Sequence, residues 1–348
     1  MKGKKIITIV LALLLVLAAA GGAVFYFIFQ NGSYVSDEKI RKEFAEAAKK
    51  YPEENPETNL SDEEQEAMRE QINTGELPKV QSKMDGIYNV LLIGSDRRDD
   101  TWNGNSDCMI LVTFNEHAKK IFLTSFMRDL YADIPGIGVR KLNAAFANGG
   151  GPLLVDTLES NYGVSIDNYV SVDFSSTANI IDLIGGVDVT VHPEEVVTAN
   201  DYITCLCEEQ DKNANDYYIP AEGLDHLNGI QALAFSRIRY VGNADFERTS
   251  RQREVLQGAF NSVKKMNILD LTGMIGDVMK IVKHNISTAK MFELITKVPE
   301  YLTYQIEEVR IPYDNEYTIS NEILVPTDMN ATITRLQNTI YTTQTAAE

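Results

Sequence analysis

IYNVLLIG, residues 87–94, is the stretch on which the fold turns. An apolar run this long, without the alternation of a half-exposed strand, is the pattern of a strand buried on both faces. Two comparable runs follow, CMILVTFN at 108–115 and KKIFLTSF at 119–126, with the polar connection EHAKK between them. The chain then alternates. GPLLVDTLESNYG (151–163) is amphipathic at helical spacing and ends on glycine, NYVSVDF (168–174) reads as a strand, SSTANIIDLIGG (175–186) as a helix capped by Gly185 or Gly186, and VDVTV (187–191) as a strand. Four helical patterns come next, LNGIQALAFSRI, FERTSRQREVLQGAFNSVKKM, LDLTGMIGDVMKIVKHNI and AKMFELITKVPEYLTY, before IEEVRIP returns to the sheet. The polar piece from Pro193 to Pro220 reads as an irregular insertion loop. The expected class is α/β, a central mixed sheet flanked by helices on both sides.

Upstream of this domain, MKGKK leads into an apolar run from Ile6 to Phe29. That is the length of a bilayer-spanning helix, about 20 residues. The run continues well past Ala18–Ala20, which favours an uncleaved anchor over a signal peptide. The flanking lysines place the N-terminus in the cytoplasm and the rest of the chain outside. Three segments are expected: an anchor over 1–30, an acidic helical stalk over 31–85 with a Ser36-capped helix and a second short helix, and an extracytoplasmic catalytic domain over 86–348.

The formal net charge of −18 argues against nucleic-acid binding, which needs a basic surface to displace counterions. Three cysteines are too few for a disulfide framework. Cys108 reads as a small buried apolar residue, and Cys205 and Cys207 have no matching Cys or His pair for zinc. His117, His192, His226 and His284 show no triad or HExxH spacing, and neither GxSxG nor a Walker loop is present.

Against this acidic background the arginines are clustered. Of 13, nine lie in four places: Arg97 and Arg98, Arg128, Arg140, and five within RIRYVGNADFERTSRQR at 237–253. Arg97, Arg98 and Arg128 follow apolar strands directly, at the edge where open α/β sheets bind ligands. Asp96 closes one strand and Asp107 opens the next. Were those strands neighbours, two carboxylates would share one gap, a donor set suited to Mg²⁺ or Mn²⁺. Guanidinium groups beside a hard divalent cation describe a phosphate or pyrophosphate site.

At these residues the chain resembles the LytR-CpsA-Psr family of bacterial cell-wall ligases. The resemblance rests on NVLLIGSDRR, SDCMILVTFN, IFLTSFMRDLYADIPG, KLNAAFANGG, IDLIGGVDV, LNGIQALAFSRIR and DFERTSRQREVL, in that order, from about Ile87 to Phe260. It implies transfer of a glycopolymer, teichoic acid or capsule in type, from undecaprenyl pyrophosphate to peptidoglycan N-acetylmuramic acid, with polyprenyl phosphate released. Carried over position by position, Asp96 and Asp107 correspond to metal carboxylates, and Arg98, Arg128, Arg237, Arg239, Arg248 and Gln252 to pyrophosphate-binding groups. Asp245, Arg128 and Arg248 correspond to catalytic ones, Asp245 as a proton acceptor or as a group that orients Arg248. A lipid channel walled by IIDLIGG and the helices after residue 253 is implied as well. The pattern departs from the family at Met127, where proline is usual, at Ala244 in place of glycine, and at Asn105 in place of arginine. Alternatives are a lipid pyrophosphate hydrolase and a non-catalytic lipid-binding envelope protein.

Overall fold

The computed structural model describes residues 33–47, 60–72, 78–96 and 104–343. The apolar run at 6–29 and Arg97–Arg98 lie outside the described residues. Among the described residues no helix is long and apolar enough to cross a membrane.

In chain order the elements begin with β1 (Ser33–Tyr34), α1 (Asp37–Ala47), α2 (Asp62–Ile72), β2 (Ile87–Ser95), β3 (Ser106–Asn115) and β4 (Lys120–Phe126). The hairpin β5 (Tyr131–Ile134) and β6 (Gly138–Lys141) leads into α3 (Asn143–Tyr162), β7 (Asn168–Asp173), α4 (Phe174–Leu183) and β8 (Val187–Val191). Then come α5 (Pro193–Glu209), β9 (Gly223–Leu227), α6 (Gly229–Arg237), α7 (Ala244–Lys264), α8 (Ile268–Ile281), β10 (Lys283–His284) and α9 (Thr288–Tyr301). Strand β11 (Gln305–Ile311), the hairpin β12 (Tyr317–Ser320) and β13 (Ile323–Pro326), and α10 (Met329–Ile340) complete the chain.

Seven strands among the described residues form the central sheet, in the order β1-β10-β7-β2-β3-β4-β11. Strands β2, β3 and β4 run antiparallel, as the short EHAKK connection requires, whereas β7 lies parallel to β2 and β11 parallel to β4. The sheet is mixed, and both faces are covered. Leu91, Ile93, Met109, Leu111 and Phe122 pack with Leu154 and Leu158 of α3 and Ile333 and Leu336 of α10. Their strand neighbours Val90, Ile110, Val112 and Ile121 turn the other way, against Tyr301 and against Leu256 and Phe260 of α7. That period of two, apolar on both sides, is why residues 87–94 read as one continuous apolar run.

Several elements differ from their sequence reading. Residues 193–209, expected as an irregular loop, are helix α5. Pro193 stands at its first position, Glu195 accepts the His192 backbone N–H at 2.8 Å, and Ala199, Ile203, Leu206 and Cys207 are buried along one face. The helix expected to run through Ile286 ends at Ile281, because Lys283 and His284 enter the sheet, paired with Ser171 and Val170 of β7 on one side and with Ser33 and Tyr34 of β1 on the other. The described part of the expected stalk is no solvated spacer. Ile40 of α1 and Met68 and Ile72 of α2 are buried in the main core, and Arg41 makes a bidentate pair with Asp156 of α3. Their outward faces carry the acidic residues that suggested a spacer.

Helix α3 starts earlier than the amphipathic pattern indicated and kinks at Gly150 (φ 64°, ψ −158°). A side chain there would adopt a left-handed backbone and press within about 3 Å of Ile40 and Phe44 of α1, so glycine permits the close approach. Gly163 in the left-handed region ends the helix, its N–H reaching the Glu159 carbonyl.

Candidate active site

The carboxyl ends of β2, β4, β7 and β11 and the amino end of β3 all lie at one edge of the sheet, by the registers of their pairing. Asp96 therefore leaves the sheet where Asp107 enters it, and the Asp96 N–H bonds the Asn105 carbonyl at 3.1 Å. The β2–β3 pairing shifts register after Gly94–Cys108, since Ser95 faces Ser106. Asp107 is thus the extra residue of a bulge, a device that re-aims a side chain at a strand end.

Arg128 and Asp129 follow β4. Their backbone is fixed by the Asn143 N–H on the Arg128 carbonyl (3.1 Å) and the Leu324 N–H on the Asp129 carbonyl (2.8 Å). Arg128 donates from Nη1 to Asp107 Oδ1 at 3.0 Å, and its Nε lies 3.6 Å from Asp129 Oδ2 and 3.5 Å from Asp245 Oδ2. Burial works against the charge of Arg128, yet attraction to Asp107, Asp245 and Asp129 outweighs it and raises its pKa.

The remaining groups come from α7 and the turn before it. Asp245, Arg248 and Gln252 are spaced three and four apart, so they share one face of the helix. Arg248 Nη2 is 3.2 Å from Asp245 Oδ1 and its Nη1 is 3.7 Å from Asp107 Oδ2, while Gln252 Nε2 bonds the Asp107 carbonyl at 3.4 Å. Arg239 Nε completes the set, 3.3 Å from Asp245 Oδ1. Lys141 at the end of β6 adds a cation 3.3 Å from Asp129. Four cations thus face three carboxylates in a partly buried cluster. The packing is electrostatic more than hydrogen-bonded: Arg128 Nε, Arg248 Nε and Asp245 Oδ1 are buried without a hydrogen-bond partner. Donors held in place but unspent are what an incoming anion requires.

The five arginines of 237–253 divide their work. Arg239 and Arg248 enter the cluster. Arg237 does not; its guanidinium lies over the Phe174 ring at 4.4 Å and the Tyr202 ring at 5.7 Å. Arg251 and Arg253 project from other faces of α7 and are buried in structural pairs. Arg251 Nε meets Glu195 Oε1 at 2.5 Å and its other nitrogens bond the carbonyls of Ile238 and Val241; Arg253 joins Glu308 at 2.5 Å and Ser125 at 3.0 Å. Arg251 thereby pins the turn that presents Arg239. Sequence reading missed Asp129, Lys141 and Glu195, and counted Arg251 with the clustered arginines without its structural pair; for Asp129 the signal was its adjacency to Arg128, and for the others there was none at short range.

The carboxylate donors suit a magnesium ion that keeps several waters and takes phosphate oxygens, which needs only one or two protein carboxylates. Among the described residues no group of three or more His, Cys, Asp or Glu side chains is placed to cage a metal. Asp107 in addition already faces two guanidinium groups. Cys108, beside it, has its thiol pushed up to about 12 by burial, so it stays protonated. A cleft of about 360 Å³ opens at the same sheet edge, lined by Ser95, Phe146, Tyr169 and Asp173 together with Ile40 and Phe44 of α1. The IIDLIGG segment expected to wall a channel instead buries Ile181 and Ile184 in a separate core with α5, α6 and β8.

Fold and site together define an α/β protein that gathers guanidinium and carboxylate groups from distant elements into one cluster at a sheet edge. The chain belongs to the LytR_cpsA_psr family, whose sequence pattern matches residues 44–339. It is 34% identical over 215 residues to the polyisoprenyl-teichoic acid–peptidoglycan teichoic acid transferase TagU of Enterococcus faecalis, covering 61% of this chain and 64% of that protein, just under two thirds of its length. Identity to TagU of Bacillus cereus is also 34%, over 261 residues, covering 73% of this chain and 78% of the relative. The solved structure of TagT bound to LIIa-WTA superposes with a TM-score of 0.59 at 25% identity, over 78% of this chain and 99% of that one.

Proposed function

We propose that this protein transfers a polyprenyl-pyrophosphate-linked glycopolymer to peptidoglycan on the outer side of the cell membrane, anchored by the apolar run at 6–29. One observation carries the reading: Arg128, Arg239 and Arg248, contributed by a strand end, a turn and a helix, converge on Asp107 and Asp245 at the carboxyl edge of the sheet. The names of the TagU relatives and the bound state of TagT support the class of donor and acceptor.

In this reading the three guanidinium groups turn from the carboxylates to the diphosphate as it enters, and Arg237, stacked on its rings, offers N–H edges beside them. A hydroxyl of the acceptor sugar attacks the phosphorus that bears the polymer, and the bond to the bridging oxygen breaks. The polymer ends in a phosphodiester, and polyprenyl phosphate departs. Its negative charge grows as the bond breaks, and cations fixed in a partly buried site stabilise it most at that point. The hydroxyl proton passes to the departing monoester, whose second ionisation lies near pH 6. Both oxygens of Asp245 face guanidinium groups, which favours the orienting role for this residue over that of proton acceptor. Asp96 and Asp107 would hold Mg²⁺, which would neutralise phosphate oxygens there. The cleft beside Ser95 takes the lipid segment nearest the diphosphate.

The full chain in lipid vesicles, given a lipid-linked glycopolymer with and without peptidoglycan, tests the reading. Polymer bound to peptidoglycan only when both are present is the expected result. Release of free polymer phosphate at the same rate without acceptor makes the protein a hydrolase, and no turnover of either kind overturns the catalytic reading.

A further inference from the structure

Tyr240 is the most exposed of the large apolar side chains described, 83% accessible, and it follows Arg239 directly. An aromatic ring in water costs free energy, and no packing in the domain requires this one. Its surroundings are built to hold it out. Arg251, itself buried, bonds the carbonyls of Ile238 and Val241 on either side of the Arg239–Tyr240 pair, and Gly242 (φ 71°) turns the chain into α7 immediately after. The loop is fixed by the same helix that supplies Asp245 and Arg248, so the ring stands at a set distance from the anion cluster. Beside it lies a second aromatic surface: Tyr202 of α5, whose hydroxyl is pushed up chiefly by burial and next by the proximity of Tyr240, and Phe174, with the Arg237 guanidinium over both rings. Arg237 makes no hydrogen bond or ion pair among the described residues, which leaves its N–H edges for a ligand. One exposed aromatic ring, Tyr240, beside a guanidinium with free N–H edges suits a pyranose, whose C–H face stacks on the ring while its hydroxyls accept from the guanidinium.

We propose that Tyr240, with Arg237, Tyr202 and Phe174 behind it, forms a saccharide subsite that stacks the sugar joined to the diphosphate held by Arg239 and Arg248. The inference rests on the reading of the cluster as a diphosphate site, and it assigns the donor sugar because Tyr240 is covalently next to a residue of that cluster. Tyr240 is a positioning group in the reaction: it touches the sugar, and the bonds made and broken lie on the phosphorus.

The experiment compares Tyr240→Ala, Tyr240→Phe and wild type, measuring KM separately for the lipid-linked donor and for the peptidoglycan acceptor. Stacking of one ring predicts that Tyr240→Ala raises the donor KM by about fivefold or more with kcat within about threefold, and that Tyr240→Phe stays near wild type. Because the side chain is exposed, the alanine variant keeps the wild-type melting temperature. An unchanged donor KM, or equal damage from Phe and Ala, overturns the stacking; a rise confined to the acceptor KM overturns the donor assignment. Binding of a soluble amino-sugar disaccharide phosphate, followed by ligand-observed NMR, separates this proposal from the transfer reading. A wild type without transferase activity that still binds the sugar, and loses it in Tyr240→Ala, would sink the reaction and leave the subsite standing. Absence of binding to wild type would sink the subsite alone.

Discussion

Asp245→Asn is the substitution that tests the arrangement of the cluster most directly. The carboxylate is shared by Arg128 at 3.5 Å, Arg239 at 3.3 Å and Arg248 at 3.2 Å. At an effective dielectric near 20, each contact is worth on the order of 4–5 kcal/mol before desolvation, which cancels most of it. Breaking a buried pair and stranding its partner costs about 3–5 kcal/mol. The amide keeps the volume and one acceptor oxygen, and Arg239 is more than a third exposed, so about 2–3 kcal/mol is the expected loss. At ~2–4 °C per kcal/mol for a domain of this size, the melting temperature falls by roughly 5–10 °C. Losing the carboxylate also raises the net charge of the cluster, so inorganic pyrophosphate binds more tightly and stabilises more, by about 1.4 kcal/mol for each tenfold gain in affinity. Thermal melts of both proteins at low ionic strength, with and without pyrophosphate, give both quantities. A variant that melts like wild type, or one that gains no more from pyrophosphate than wild type does, refutes the idea that Asp245 holds the guanidinium groups for an anion. Transfer adds a third readout: an orienting residue costs about tenfold, whereas loss of a proton acceptor costs about 10²–10⁴-fold.

Arg128→Ala and Arg248→Ala should each lower transfer by at least about 10²-fold, and turnover within a few-fold of wild type in either would remove that side chain from the site. Arg251→Met should act on stability first. Its pair with Glu195 is nearly fully buried, and about 3–5 kcal/mol is at stake by denaturant titration, with the loop of Arg239 loosened as a result; an unchanged midpoint contradicts the structural role. Chelation should stop transfer and added Mg²⁺ restore it, while full activity in chelator excludes the metal from the proposal. The pH prediction concerns His284 on the short strand β10, between β1 and β7. Burial pushes its imidazole below the ordinary value. A depressed folded-state pKa means that the stability is complete above about pH 6.5 and is lost as pH falls through the folded value. Amide exchange in β1 and β10 should therefore accelerate on acidification, and His284→Gln should flatten that dependence; equal pH profiles in the two proteins contradict it.

The sheet was legible because its strands carry apolar residues on both faces, a signal local to eight or ten residues. Helix α5 was not. It has one buried stripe, Ala199, Ile203, Leu206 and Cys207, set among ten or so polar positions, and its N-terminal stop is made by a histidine backbone and Glu195 where a Ser or Asp would have announced it. The stalk was misread for a related reason. Charged residues dominate α1 and α2, while the contacts that decide their place fall on Ile40, Met68 and Ile72, and composition averages such residues away. Domain segments that look like spacers can be walls when three apolar side chains in two helices share a face.

The arginine cluster shows the same limit at the level of chemistry. Placement at strand ends sufficed to find Arg128, Asp96 and Asp107, because strand direction alone puts them on the ligand edge. Within 237–253, charge density could not separate the five arginines. Helical phase sorts only part of the set: 245, 248 and 252 lie within about 60° of one another, 253 lies well round the helix and 251 at the flank of that face, and what claims 251 and 253 are Glu195 and Glu308, 56 and 55 residues away in sequence. Those two acidic partners are what distinguish a structural arginine from a binding one, and no window of sequence contains both members of either pair. Arg128 and Arg248 are instead marked by sharing: each faces more than one carboxylate, and the Nε of each is buried without a hydrogen-bond partner. A guanidinium with one dedicated acid is finished, whereas one divided among several is free to exchange them for phosphate oxygens.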